Sequence, residues 1–168
     1  EKDNKYLMLY RNKKEIDINK GKWIGVGGKL EKGETPEQCL IREVWEETGY
    51  TLNSYEYRGI VIFNYNEDDP LFMYVYTSSN FSGIEKECNE GDLKWIPKDE
   101  ILDLKLWEGD KIFLKLLFEN SPFFYLTLNY ENDNVISSKL EFKEQYSCFE
   151  VFVPENYVEK IVENLKKY

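Results

Sequence analysis

The chain has 168 residues, 32 acidic against 22 basic for a formal net charge of −10, with 42% hydrophobic and 16% aromatic residues. That is enough apolar material for one domain with its own core, it leaves no room for a second full domain, and it excludes a disordered chain. The negative charge excludes a general nucleic-acid or duplex binder, whereas a polyanionic small molecule remains a fitting ligand if divalent cations or local Lys and Arg offset the repulsion.

Cys39, Cys88 and Cys148 are an odd number with no C-x-x-C pair, which argues against a disulfide framework or a zinc site and points to a reducing cytoplasm. No run approaches the roughly 18 apolar residues of a membrane span, and no charged-then-apolar leader is visible. There is no His, so chemistry must rest on carboxylates, Lys, Tyr or Cys, of which carboxylates are the most plentiful.

In chain order, Tyr6 to Arg11 reads as a strand and Trp23 to Val26 as a second, joined by a polar Lys- and Asn-rich loop. Glu1 is not an initiator Met and the first strand comes early, so upstream residues are expected. Gly25, Gly27, Gly28 and Gly33 crowd into one stretch, and Thr35-Pro36-Glu37-Gln38 then opens a helix with Thr as N-cap, Pro at the first position and Gln three residues after the cap. Gly49 stops it. Strands follow at Tyr55 to Tyr65, Leu71 to Ser78 and Leu93 to Ile96. Ile101, Leu102, Ile112, Phe113, Leu116 and Leu117 mark a short and then a longer helix. Phe123 to Tyr130 and Val135 to Phe142 alternate about Glu131-Asn132-Asp133-Asn134 as a hairpin. A last strand near Cys148 to Val153 gives way at Pro154 to an amphipathic helix bearing Val158, Ile161, Val162 and Leu165.

On the first helix, Leu40, Ile41, Val44 and Trp45 share an arc of about 140°, and Glu43, Glu46 and Glu47 a separate arc of about 100°. The first arc is expected to face the core and the second to gather oxygen donors. Behind a glycine loop, such donors suit Mg²⁺, which takes about six oxygens and bridges carboxylates to phosphates. Glu34 and Arg42 stand where an ion pair can clamp loop to helix.

From Gly28 through Glu34 to Arg42-Glu43-Val44-Trp45-Glu46-Glu47-Thr48-Gly49-Tyr50, the chain resembles the Nudix box G-x5-E-x7-R-E-U-x-E-E-x-G-U at all nine defined positions, Tyr50 being a slightly unusual last apolar residue. The resemblance implies an α/β Nudix fold, an αβα sandwich around a mixed β-sheet. It further implies that Glu43, Glu46 and Glu47 bind Mg²⁺, with Mn²⁺ able to substitute, joined by a backbone carbonyl near Gly27 or Gly28. It gives Glu34 and Arg42 the task of holding the loop while water attacks phosphorus.

The strings GKWIGVGGKLEKGETP, CNEGDLKWIP and LWEGDKIF are similar to MutT-type 8-oxo-dGTP diphosphatases of Gram-positive bacteria. That likeness makes Glu90 a distal metal-associated acid, and Trp107 and Asp110 the residues that hold a purine base. Lys29, directly after the glycines, is a further candidate substrate contact. Ile24 and Gly109 depart from the pattern, standing where a mammalian sanitising member has an Asn and a second Asp for the base.

Residues 1–144 are thus expected to form a Nudix hydrolase domain, its first strand truncated, with 145–168 a C-terminal strand-helix extension of the same domain. The expected activity is Mg-dependent cleavage of a nucleoside triphosphate, 8-oxo-dGTP first, to monophosphate and pyrophosphate by a cytoplasmic monomer or homodimer, with no nucleic-acid polymer or membrane as partner. Two alternatives stay open: a Nudix enzyme for ADP-ribose or a dinucleoside polyphosphate, and a catalytically silent nucleotide-binding domain.

Overall fold

The computed structural model describes residues 1–66 and 69–143; the strand and helix expected in the C-terminal extension lie outside them. Two sheets share the core. The first is antiparallel with order β2-β1-β5, built from β1 (Lys5–Tyr10), β2 (Trp23–Ile24) and β5 (Asp92–Pro97). The second has order β4-β3-β6-β7, from β3 (Tyr50–Tyr65), β4 (Leu71–Gly83), β6 (Phe124–Glu131) and β7 (Asn134–Phe142). It is mixed, because β3 runs parallel to β6 and antiparallel to β4.

Strict alternation along β6 buries Phe124, Leu126, Leu128 and Tyr130 on one face. They pack with Met8, Val61, Ile96 and the apolar side of α3 (Glu108–Phe118), notably Leu114 and Leu117. A single turn, α2 (Lys98–Ile101), carries fully buried Ile101. The remaining helix, α1 (Pro36–Thr48), packs against β3.

The start of α1 forms as its sequence requires. Gln38 N–H donates to the Thr35 hydroxyl at 3.3 Å, and Thr35 N–H donates to Gln38 Oε1 at 2.9 Å. Its inward face differs from expectation. Ile41 and Trp45 are 44% and 55% exposed, whereas Glu47 is only 5% exposed and Cys39 and Thr48 are buried. The buried arc is therefore turned about 80° from the apolar stripe toward the acids. The cause is the loop, since Cys39, Glu43 and Glu47 all turn toward the glycine segment that folds back over the helix.

Candidate active site

Arg42 organises the loop. Its guanidinium grips both oxygens of Glu34, at 2.8 and 2.9 Å, and donates to Glu43 at 2.7 Å, Glu46 at 3.3 Å and the Lys29 carbonyl at 3.1 Å. Glu34 also accepts from Glu31 N–H at 2.8 Å. These bonds hold the Glu34 carboxyl down to about 2, with Arg42 the largest influence, and raise the guanidinium further. Beneath the loop, the Cys39 thiol faces the Gly28 carbonyl at 3.8 Å.

The Glu43 carboxylate fills the space that a Cβ at Gly28 would occupy, so a side chain there would displace it. Next to Gly28, Gly27 N–H donates to Glu47 Oε2 at 3.0 Å. Burial pushes Glu47 up to about 7; the Gly27 bond and Arg11 act against the rise and are outweighed.

Sequence reasoning missed Arg11. Directly after β1, it is buried, bonds Asp17 at 2.7 Å, contacts Glu90 and lies 3.9 Å from Glu47. Lys14 contacts Glu90 as well. Only the pairing of β1 with β5, which puts Tyr10 opposite Asp92, brings Glu90 to these residues. Nothing local in RNKK signals this role.

Glu43 and Glu46 thus sit against Arg42, and Glu47 and Glu90 against Arg11. Among the described residues no three acids converge on a single ion position. The donor chemistry nevertheless fits a hard divalent cation, since all the side-chain donors are oxygens and glycine keeps the cradle beside Glu43 open. The Lys29 side chain is exposed, and only its carbonyl takes part in the clamp.

The second group of residues stands at the start of α3. Trp107 is the N-cap and Asp110 lies in the first turn, buried, with its carboxyl pushed up to about 7 chiefly by burial. Trp107 Nε1–H donates to Asn19 at 2.9 Å, and its ring meets Tyr130 edge-on at 6.2 Å. Gly109 N–H donates to the Tyr130 hydroxyl at 3.0 Å. A Cβ at Gly109 would overlap Leu128 and that hydroxyl, so any side chain at this position requires both to shift.

Loop, clamp and helix reproduce in space the box read from the sequence, set against a mixed sheet with helices packed around it. The chain belongs to the Nudix family of hydrolases, whose domain model matches residues 1–117. It is 28% identical over 129 residues to the oxidized purine nucleoside triphosphate hydrolase of Danio rerio, covering 76% of this chain and 83% of that protein. It is 27% identical over 133 residues to the uncharacterized Nudix hydrolase YvcI of Bacillus subtilis, covering 76% of this chain and 80% of that protein. Among solved structures, the mutator MutT protein of Bacillus halodurans superposes with a TM-score of 0.75 at 29% identity, covering 84% of this chain and 92% of that one. Nudix hydrolases generally use divalent metals.

Proposed function

We propose that this chain hydrolyses 8-oxo-dGTP to 8-oxo-dGMP and pyrophosphate in the cytoplasm, which removes an oxidised guanine before it can enter DNA. The observation that carries the reading is the pairing of an indole with a buried acid: Trp107 supplies a stacking surface, and Asp110 supplies a hydrogen-bonding carboxyl sheltered from water. The kinship with an oxidized purine nucleoside triphosphate hydrolase points the same way.

Glu43, Glu46, Glu47, Glu90 and a carbonyl at Gly27 or Gly28 would hold Mg²⁺, or Mn²⁺ in its place. The ion, when bound, supplies positive charge to the phosphate oxygens and lowers the cost of deprotonating water. The protein's own work is positional. Arg42 and Glu34 fix the loop, and Gly28 leaves room for Glu43. Glu47 can retain a proton up to about pH 7 in the absence of an ion, so cation binding and proton release are linked there. Water adds to phosphorus, a P–O bond to pyrophosphate breaks, and one proton is released near neutral pH. A small anionic nucleotide offset by a cation suits a chain of net charge −10, whereas a nucleic-acid polymer does not.

A panel of nucleoside triphosphates with Mg²⁺, read by product chromatography, tests the assignment. The specificity constant for 8-oxo-dGTP should exceed that for dGTP, and Trp107→Ala should weaken binding of purine nucleotides by about 1–3 kcal/mol. Cleavage of 8-oxo-dGTP no faster than dGTP, or preferred cleavage of ADP-ribose, would remove the sanitising role.

A further inference from the structure

The Trp107 ring carries a cation. Lys22 Nζ stands 3.7 Å from the ring centroid, and its charge reaches the Asp110 carboxyl, favouring the ionised form. Among the described residues this ammonium makes no salt bridge. Its backbone is pinned on both sides: Arg11 N–H donates to the Lys22 carbonyl at 3.0 Å, and Trp23 N–H donates to the Lys105 carbonyl at 2.9 Å, two residues before Trp107. Asn19, which receives the Trp107 indole N–H, accepts from Lys22 N–H through its carbonyl at 2.9 Å. One tight turn therefore holds both the indole and the lysine.

An ammonium on an aromatic face, with a buried carboxyl in the first turn of the helix which that aromatic residue caps, is a hydrogen-bonding pattern. In a 6-oxopurine the carbonyl O6 accepts and the neighbouring N1–H donates. In a 6-aminopurine the order is reversed, with an N6 amino group that donates and an N1 that accepts. We infer that Lys22 and Asp110 together select 6-oxopurine nucleotides, Lys22 donating to O6 and Asp110 accepting from N1–H, and reject 6-aminopurines. On stacking of the base, Lys22 exchanges its contact with the ring for a charge-assisted bond to O6, the stronger of the two interactions. Adenine would leave both groups facing like partners, the mismatch that discriminates most sharply in a sheltered site.

This inference rests on the nucleotide reading above and sharpens it from oxidised guanine to the edge that guanine, 8-oxoguanine and hypoxanthine share. Titration calorimetry with dGMP, dIMP and dAMP in the presence of Ca²⁺ tests it, on the full chain and on Lys22→Met and Lys22→Arg. The unaltered protein should bind dGMP and dIMP at least about tenfold more tightly than dAMP. Lys22→Met should reduce that ratio to within about threefold by weakening dGMP and dIMP alone, and Lys22→Arg should retain it. A Lys22→Met protein that keeps the ratio, or that loses affinity for all three nucleotides equally, overturns the role of Lys22 and leaves the nucleotide reading standing. If the unaltered protein binds none of the three, both fall.

Discussion

Two arginines manage the acids of this site in opposite ways. Arg42 is partly open to water and takes all its acidic partners from one stretch, Glu34, Glu43 and Glu46. Arg11 is buried, and its partners Asp17, Glu90 and Glu47 come from three separate segments. Beside Arg42 the Glu34 carboxyl is held down to about 2, but near Arg11 the Glu47 carboxyl is pushed up to about 7. The contrast shows what decides a carboxyl's proton. Two direct bonds from a guanidinium win where water remains close, whereas a charge 3.9 Å away does not offset burial.

The largest effect should come from the paired glutamates of α1, one beside each arginine. Glu47→Gln, or Glu43→Gln, should lower turnover about a hundredfold or more while circular dichroism stays unchanged. Turnover near that of the unaltered protein, or full activity in excess chelator, would show that these acids hold no ion. Arg11→Met strips Asp17, Glu47 and Glu90 of their shared cation and should cost about 3–5 kcal/mol in urea denaturation. A loss under about 1 kcal/mol would place Arg11 with ordinary surface pairs.

Proton linkage separates the two regions next. Glu47 has a folded value raised to about 7 from 4.5, so its contribution to stability is present below pH 4.5 and lost as pH rises through 7. Asp110, raised to about 7 from 3.8, acts in the same direction. Glu34, lowered to about 2, contributes above pH 4.5 and loses that contribution only as pH falls through 2. Without divalent ions, the protein should therefore be more stable at pH 5.5 than at pH 8, by roughly 2–4 kcal/mol. Glu47→Gln should flatten that slope, and a stability that rose over the same interval would contradict the burial of both acids. The smallest effect belongs to the exposed clamp. Arg42→Ala should lower kcat about tenfold with KM little changed, by loosening the groups around the site. A raised KM with kcat intact would make Arg42 a direct phosphate contact instead.

The same division governs what the sequence revealed. Box, cap and clamp were legible because their partners lie within one loop and the helix that follows, where spacing alone determines who meets whom. Most strands were legible from their apolar and β-branched residues, although β3 begins at Tyr50 rather than Tyr55. Its polar Thr51-Leu52-Asn53-Ser54 start is strand because β4 pairs with it, Thr51 opposite Ser82 and Ser54 opposite Asn80. The inward face of α1 departs from its hydrophobic pattern because the glycine loop, remote from that pattern, draws Glu47 inside. Arg11, Asn19 and Lys22 carried no local signature, and only strand pairing and the turn beside Trp107 give them neighbours.

Pairing of β1 with β5 also sets a timetable. Lys5 lies opposite Pro97 and Tyr65 opposite Tyr130, so neither sheet is complete until segments far along the chain have appeared. On a ribosome, β1 emerges early and has no β5 edge to join until Pro97 has left the exit tunnel, and only then does Glu90 reach Arg11. Tyr130, which supports the turn at Gly109, arrives later still. Such long-range closures make folding slow and leave unpaired strand edges exposed meanwhile. The helix that bears the glutamates can coil early on its own cap, but the pockets around it are assembled last.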